Sequence, residues 1–331
     1  MEDNFLAMVV EEIQPNKFER SIKERKITDL SESDVIIQVH YSSLNYKDAL
    51  SASGHKGITR KYPHTPGIDA SGVVVNSKNL SFKEGDEVLV TGYDLGMNTS
   101  GGFGQYISVP ASWVVKKPDG MTLREVMIYG TAGFTAGIGI YELQKHNIFP
   151  NSGKMLVTGA TGGVGSLAVA MLAKAGYSVV CSTGKVDKSD YLKKLGASEV
   201  ITRQEVNDKS GKPLLPKKWA GAIDTVGGNT LSTILKSAEQ RGCVTCSGLV
   251  ESPNFEINVY PFIIRGVSLI GIDSAERPMD IRLQIWENIQ TVWRIDNIED
   301  ISKEVELDKL TSEIDIILAG NQVGRVLVKM R

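Results

Sequence analysis

The chain is poor in cysteine and carries almost no net charge. Among its 331 residues are three cysteines, and 37 basic residues stand against 39 acidic ones, which gives a formal net charge of −2. Three cysteines cannot form the disulfide framework of a small secreted domain. A neutral balance provides no basic field for a phosphate backbone, so we expect no nucleic-acid partner. The hydrophobic content of 41% and the charged content of 23% are those of a globular protein, which argues against disorder.

Long apolar runs are also scarce. The N-terminus carries Glu2 and Asp3 and lacks the basic region and the long apolar core of a signal peptide. One uncharged stretch, residues 155–173, has the length of a membrane helix, but glycines fill its first half. A turn explains this stretch better than a membrane span. We therefore expect a soluble, cytoplasmic protein that does not bind a membrane.

The pattern of strands and helices changes near Thr122. Before it, short β-branched runs alternate with glycine, proline and acidic turns and show no long helical period; these runs are residues 35–40, 70–75, 87–90, 106–109 and 113–116. They predict a compact antiparallel barrel or sandwich of about 120 residues. After it, strands alternate with helices, and the predicted strands are residues 154–158, 177–181, 200–201, 220–224, 242–247 and 268–272. Repeated βα units predict an α/β fold with a doubly wound parallel sheet. The tail predicts two helical segments and a last strand, residues 324–329.

A glycine-rich turn marks the nucleotide site. The sequence GATGGVG occupies residues 159–165, between a predicted strand and a predicted helix, and a second strand follows about twenty residues later. Glycines permit a tight turn and a close approach of the backbone to a pyrophosphate, and the helix N-terminus directs its free N–H groups at the phosphates. The arrangement predicts a Rossmann dinucleotide site.

The end of the second strand indicates which nucleotide is bound. An NAD site places Asp or Glu there for the ribose 2′-hydroxyl. Here Cys181 is followed by Ser182, Thr183, Gly184 and Lys185. Arg203, just past the next strand, could reach the same pocket. Hydroxyls and cations favour a 2′-phosphate, so we expect NADPH rather than NADH.

Metal and hydrolase motifs are missing. Cys243 and Cys246 lie in a predicted strand, where side chains three residues apart point to opposite faces. The four histidines show no HExxH spacing, and no GxSxG or GxxxxGK[ST] motif occurs. We expect no metal site.

Several segments resemble the medium-chain dehydrogenase/reductase superfamily. They are NYKD at residues 45–48, PGIDASG at 66–72, GTAGFTA at 130–136, AGAIDTVG at 220–227 and PFIIR at 261–265. They are similar to the branch of YhdH/YhfP-type quinone oxidoreductases, which includes acryloyl-CoA reductases. The resemblance implies a GroES-like catalytic domain, residues 1–122 and 274–331, around a Rossmann NADPH-binding domain, residues 123–273. Zinc-dependent members carry a Cys ligand near Asn45 and a His where Ile68 stands, so a zinc-free enzyme is implied.

The resemblance also implies site residues. Tyr46 corresponds to the residue beside the nicotinamide and is the expected catalytic residue, with Asn45 as a second donor and Asp48 orienting the local turn. The phosphate turn corresponds to Thr161, Gly162, Gly163 and Val164. The 2′-phosphate pocket corresponds to Thr183, Gly184, Lys185 and Arg203, and the remaining cofactor contacts to Leu249, Ile263, Ser274 and Asn321.

Three functions remain open. The first is NADPH-dependent delivery of hydride to a quinone or an α,β-unsaturated carbonyl, whose developing negative charge needs hydrogen-bond donors and later a proton. The second is a dedicated reductase of a short 2-enoyl-CoA, with Lys47, Lys56, Arg60 and Lys61 as a possible anion-binding rim. The third, of another class, is a non-catalytic NADPH-binding protein.

The predicted strand at residues 268–272 suggests self-association. It closes the nucleotide sheet and carries no charge or proline that would protect an edge. We expect a homodimer in which this strand pairs with its twin across a twofold axis. The alternative is that the C-terminal helices, within residues 279–293, cover the edge in one chain.

Overall fold

In a computed structural model, which describes residues 4–330, the chain divides into two compact units. Unit 1 comprises Met1–Thr131, Ala275–Gln284 and Asn297–Arg331, and unit 2 comprises Ala132–Ser274 and Ile285–Asp296. Relative to the domain limits expected from the sequence, residues 123–131 fall in unit 1, and Ser274 and residues 285–296 fall in unit 2. Glu2 and Asp3 lie outside the described residues.

The strands and helices follow one another along the chain. The strands are β1 (Asn4–Gln14), β2 (Lys17–Lys26), β3 (Val35–Ser43), β4 (Asp69–Ser77), β5 (Glu87–Thr91), β6 (Tyr106–Val109), β7 (Val115–Lys116), β8 (Lys154–Thr158), β9 (Ser178–Thr183), β10 (Glu199–Thr202), β11 (Trp219–Asp224), β12 (Ala238–Cys246), β13 (Ser268–Gly271), β14 (Ser302–Glu306) and β15 (Arg325–Lys329). The helices are α1 (Tyr46–Ser51), α2 (Leu123–Lys145), α3 (Gly163–Lys174), α4 (Ser189–Lys194), α5 (Gly228–Ser237), α6 (Tyr260–Arg265), α7 (Met279–Gln290) and α8 (Leu310–Leu318).

Unit 1 is built mainly of antiparallel strands. Its larger sheet has the order β14-β15-β3-β4-β5-β7, β6 pairs with β3, and β1 and β2 form a separate hairpin. In β3 the side chains of Val35, Ile37 and Val39 are buried while their neighbours are partly exposed, because alternate side chains of a strand point to opposite faces. The predicted β-rich first domain is confirmed.

Unit 2 contains a parallel sheet of six strands. Its order is β10-β9-β8-β11-β12-β13, and the direction of winding reverses between β8 and β11. Ligands of such sheets bind beyond the carboxyl ends of the strands at this reversal. The predicted doubly wound sheet is confirmed, and the uncharged stretch at residues 155–173 is divided between β8 and α3.

Three elements of unit 1 differ from the sequence expectation. The hairpin of β1 and β2 was not expected, because β2 reads KFERSIKERK and has no buried residue. Helix α1 stands where only a turn was expected, and it is too short for a helical period to show. Strand β14 pairs in parallel with β15 although it reads SKEVE and is largely exposed.

None of the helices within residues 4–330 combines the length and the apolar character that crossing a bilayer requires. The longest, α2, changes direction at Gly130, which has a φ of 48° and a ψ of −154°.

Candidate active site

The glycine-rich turn lies at the carboxyl end of β8, where the sheet of unit 2 reverses its winding. Gly159 adopts a φ of +58°, and a Cβ there would lie 2.3 Å from Oγ1 of Thr225. A Cβ at Gly165 would lie 2.3 Å from the carbonyl oxygen of Gly159, so only glycine allows α3 to pack this closely on the turn. Gly162 is the N-cap of α3, and Gly163 and Val164 form its first turn. The turn thus presents unpaired N–H groups of a helix N-terminus, which suits a pyrophosphate.

Two hydroxyl groups connect this turn to the end of β9. The Oγ1 atoms of Thr161 and Thr183 lie 3.3 Å apart, and both side chains are buried. The N–H of Ala160 donates to the carbonyl oxygen of Ser182 at 3.2 Å. The structure therefore brings together the residues predicted for the phosphate turn and those at the start of the predicted 2′-phosphate pocket.

Two cations meet beside Gly184. A Cβ on Gly184 would lie 2.3 Å from Nη2 and 2.6 Å from Cζ of Arg203, so the guanidinium lies directly against the Gly184 backbone. The Lys185 N–H donates to Oγ1 of Thr183 at 3.0 Å. Partial burial, followed by repulsion from Arg203, lowers the pKa of the Lys185 side chain. Two neighbouring cations favour the binding of an anion, which fits a 2′-phosphate.

The other expected cofactor contacts belong to later segments of the chain. In unit 2, Leu249 is 61% exposed and Ile263, on α6, is 71% exposed. Leu249 lies next to Gly227, since a Cβ on Gly227 would be 3.2 Å from the Cα of Leu249. Ser274 is the last residue of its segment of unit 2, and Asn321 belongs to unit 1.

A buried acid at the sheet reversal was not expected as part of the site. Asp224 ends β11, and its carboxylate accepts hydrogen bonds from Oγ1 of Thr158 at 2.6 Å and from the N–H of Gly227 at 2.8 Å. Burial raises its pKa, while these bonds act in the opposite direction. Asp224 thus joins the loop after β11 to the end of β8. The sequence feature that could have indicated it is an acidic residue at the end of an otherwise apolar strand, WAGAID.

Tyr46 is the first residue of α1 in unit 1. Its side chain is 48% exposed, and among residues 4–330 no partner hydrogen-bonds to its hydroxyl group. A half-exposed phenol at the start of a helix can donate a hydrogen bond to a ligand or pack against it.

Hydrogen bonds fix the side chains of the partly buried Asn45 and the buried Asp48 on either side of Tyr46 in sequence. The Asn45 side-chain Nδ2 donates to Oδ2 of Asp69 at 2.7 Å and to Oδ2 of Asp48 at 3.2 Å. Since these bonds use the amide hydrogens, the expected function of Asn45 as a donor to substrate does not fit this geometry. Asp48 caps α1 by accepting from the Asn45 N–H at 2.8 Å. It also accepts from the N–H of Ile68 at 2.8 Å.

The ionisation of Asp48 reflects this burial. Removal from water, followed by repulsion from Asp69, raises the pKa of Asp48 to about 7, although its N–H donors lower it. The side chain is fully buried, so it does not reach a substrate directly. Asp69 and Arg325 both interact electrostatically with Asp48, and neither was expected as a site residue.

The described residues contain no evident metal cage. Between residues 4 and 330, no three side chains of His, Cys, Asp or Glu gather closely enough to hold a metal ion. Cys243 and Cys246 both lie on β12, and Cys243 is buried whereas Cys246 is half-buried. Burial raises the pKa of both thiols, to about 12 and about 11, so neither is a reactive thiolate at neutral pH.

Two protein-family models match this chain, one in each half. Residues 31–119 match the model of the alcohol dehydrogenase GroES-like domain, and residues 163–291 match that of the zinc-binding dehydrogenase. The first match lies within unit 1, and most of the second lies within unit 2.

Individual relatives cover nearly the whole chain. YhfP of Bacillus subtilis, a putative quinone oxidoreductase, is 46% identical over 310 residues, 93% of this chain and 94% of that protein; its crystal structure contains NAD. The acrylyl-CoA reductase AcuI of Ruegeria pomeroyi is 40% identical over 98% of each chain. The YhdH oxidoreductase of Salmonella enterica, crystallised with NADP, superposes with a TM-score of 0.96 at 39% identity and covers 98% of this chain and 100% of that one. The chain therefore belongs to the medium-chain dehydrogenase/reductase superfamily, in its branch of YhdH/YhfP-type quinone oxidoreductases.

Proposed function

We propose that this protein is an NADPH-dependent reductase of quinones or α,β-unsaturated carbonyl compounds that acts without zinc. The observation that carries this proposal is the Arg203 guanidinium held against the Gly184 backbone, next to Lys185, whose pKa the charge of Arg203 lowers. Cations at the end of this strand, where residues 181–185 include no Asp or Glu, favour a 2′-phosphate over a free ribose hydroxyl. Unit 2 is accordingly the NADPH-binding domain and unit 1 the catalytic domain.

The proposed cofactor contacts fall into three groups. The backbone of Thr161, Gly162, Gly163 and Val164 receives the pyrophosphate. The second group, around the 2′-phosphate, consists of Ser182, Thr183, Gly184, Lys185 and Arg203. The third, along the rest of the cofactor, consists of Tyr46, Leu249, Ile263, Ser274 and Asn321.

When bound, NADPH supplies a hydride. The chain then has to stabilise the negative charge that develops on the carbonyl oxygen of the acceptor, which a positioned donor does best. We assign this function to the Tyr46 hydroxyl, because it is accessible and has no partner among the described residues. Asn45 and Asp48 fix the start of α1 and do not donate to substrate.

Crystals of relatives contain different nucleotides, NAD in YhfP and NADP in YhdH. The preference of this protein for NADPH is therefore inferred from its own residues. An acid at the end of β9 would repel a 2′-phosphate, but the chain has Thr183-Gly184-Lys185 there. We retain NADPH as the cofactor.

A dedicated reductase of acryloyl-CoA or another short 2-enoyl-CoA is the second candidate, favoured by the likeness to AcuI. Of the four cations expected to contact CoA phosphates, Lys56 is paired with Glu12 at 2.8 Å and lies 5.0 Å from the ring centres of Phe18 and Tyr62. Among the described residues, the other three have no acidic partner; they are Lys47, Arg60 and Lys61. These three are the proposed rim.

One set of assays tests these functions. NADPH consumption is followed with a small quinone, with an enone and with acryloyl-CoA, and kcat/KM is compared. Turnover of any of them contradicts a non-catalytic NADPH-binding protein, and binding of NADPH without turnover of any supports it. A kcat/KM for acryloyl-CoA far above that for the quinone and the enone identifies the dedicated enoyl-CoA reductase.

We further propose a homodimer. Strand β13 ends the sheet of unit 2 and pairs only with β12 among the described residues. In the second half of α7, Ile285 and Trp286 pack on α2, where the Trp286 ring lies 6.3 Å from that of Phe134. A sheet edge of this kind favours pairing with its twin. The three free cysteines agree with the proposed cytoplasmic location.

A further inference from the structure

We propose that Arg325 and Asp69 are positioning residues of the reductase: together they fix the side-chain amide of Asn45 and thereby the first turn of α1, which carries Tyr46. The inference rests on the proposed function of Tyr46 and extends it to residues on β15 and β4. All the contacts that carry it lie within unit 1.

Arg325 is a buried cation whose donors are directed at the strand that leads into α1. Its side chain is 2% exposed. Nη1 donates to the carbonyl oxygen of Leu44 and to Oδ1 of Asn45, both at 3.1 Å. Nη2 donates to Oγ of Ser43 at 2.6 Å, and Nε donates to the carbonyl oxygen of Ile128 at 3.0 Å. One guanidinium therefore holds three consecutive residues, 43–45, immediately before α1.

The carboxylate of Asp69 holds two of these residues, Ser43 and Asn45. Its Oδ2 accepts from Oγ of Ser43 at 2.6 Å and from Nδ2 of Asn45 at 2.7 Å, and lies 3.6 Å from Nη2 of Arg325. Its Oδ1 accepts from the N–H of Thr131 at 2.9 Å and from Oγ1 of Thr131 at 2.6 Å. Because α2 resumes at Thr131 after the break at Gly130, the carboxylate also caps a helix N-terminus, where negative charge is favoured.

The amide of Asn45 is consequently fixed at both ends. Its oxygen accepts from Arg325, and its nitrogen donates to Asp69 and Asp48. Asn45 is the N-cap of α1, with a φ of −119° and a ψ of 160°. Tyr46 follows it directly, so the backbone that Asn45 fixes sets the position and direction of the Cα–Cβ bond from which the Tyr46 ring extends.

The conformation of Gly130 shows independently how closely this network is packed. Its φ is +48°, and a Cβ there would lie 2.6 Å from Oδ2 of Asp69, 2.7 Å from Oγ of Ser43 and 3.0 Å from Nη2 of Arg325. The network fills the space that any side chain would need. Burying a charged pair contributes little net stability, because desolvation offsets the attraction, so a positioning function explains the arrangement better than stability does.

The test compares kcat, KM for the acceptor and the Kd of NADPH between the wild type and variants of the network. In Arg325→Met, Asp69→Asn and Ser43→Ala, kcat should fall roughly ten- to a hundredfold, since small displacements of a reacting group are costly. KM for the acceptor and the Kd of NADPH should stay close to those of the wild type. Arg325→Lys keeps the charge and should recover part of the lost kcat. Ser43→Ala removes one hydroxyl and keeps both members of the buried charge pair, so it tests the inference even where the other variants fail to fold.

The matched control is Arg265→Met. Arg265 is also buried, and within the described part of the chain it donates only to backbone carbonyl oxygens, those of Lys236, Ala238 and Leu215. It lies in unit 2, outside the network. All activities are expressed per molecule able to bind NADPH, which removes the effect of unfolded protein.

Two outcomes separate the inference from the proposed function. If the wild type reduces a quinone, an enone or acryloyl-CoA but Ser43→Ala and Arg325→Met keep the wild-type kcat, the inference is overturned and the function stands. The inference is equally overturned if Arg265→Met loses as much kcat as the network variants. If the wild type turns over none of these acceptors, the proposed function itself is wrong.

Discussion

Gly184→Ala should weaken the preference for NADPH over NADH although the substitution removes no charged side chain. The added Cβ would lie 2.3 Å from Nη2 and 2.6 Å from Cζ of Arg203, so the guanidinium must leave its place. Gly184 does not adopt a positive φ, and the group displaced is the end of a flexible, exposed side chain. Stability should therefore change by less than about 0.5 kcal/mol, as is usual for surface substitutions.

The size of the effect follows from what Arg203 contributes. A hydrogen bond to a charged group is worth roughly 1.5–3 kcal/mol, which corresponds to about ten- to a hundredfold in Kd. The Kd of NADPH should rise by this factor, and that of NADH should change little, because NADH has no 2′-phosphate. Arg203→Ala should have the same effect.

The assay is titration of each variant with NADPH and with NADH. The double variant Gly184→Ala/Arg203→Ala should bind NADPH no more weakly than Arg203→Ala alone, because both changes remove one interaction. Lys188→Ala is the control: Lys188 is a nearby lysine paired with Asp187 at 3.0 Å, and its loss should matter little. Equal losses for NADPH and NADH, or additive losses in the double variant, would refute the assignment of this pocket.

Three further predictions concern metal, assembly and pH. The purified protein should keep its activity after treatment with a chelator; stoichiometric zinc by elemental analysis, with activity lost on its removal, would contradict the zinc-free mechanism. Changing Leu269 and Gly271 of β13 to lysine should give a folded monomer in sedimentation, whereas a wild type that already sediments as a monomer at micromolar concentration would disprove the dimer. Burial lowers the pKa of His64, against the bond to Gly96 and the charge of Asp94. As the pH falls through about 6.5, the unfolded chain takes up a proton that folded His64 does not, and the free energy of unfolding falls. His64→Gln should reduce this loss in urea unfolding at acid pH, and an unchanged loss would show that His64 is not responsible.

The nucleotide half of the protein could be predicted from the sequence because its signals are local. Strands buried on both faces, such as β8 with the sequence KMLVT, read as short apolar runs between turns. The spacing of the glycines in residues 159–165 depends only on backbone that is adjacent in the chain. The absence of an acid at the end of β9 was equally visible, and the expected fold of unit 2 is confirmed.

The polar elements of unit 1 could not be predicted in this way. Strand β2 is charged along its length and finds its register only by pairing with β1, from Asn4 with Lys26 to Gln14 with Lys17. Helix α1 has six residues, fewer than two helical turns, and depends on Asn45 and Asp48 for its cap. Neither element buries an apolar face with a period of its own.

The sequence by itself determined the fold class, the dinucleotide turn and the cationic end of the nucleotide strands. Tertiary structure alone decided what Asn45 does: its amide is fixed by Asp69, 24 residues away, and by Arg325, 280 residues away. The physical reason is that apolar periodicity and turn chemistry act between neighbours along the chain. A buried polar group is satisfied instead by whichever donors and acceptors the folded chain brings within about 3 Å of it, and no local pattern records those partners.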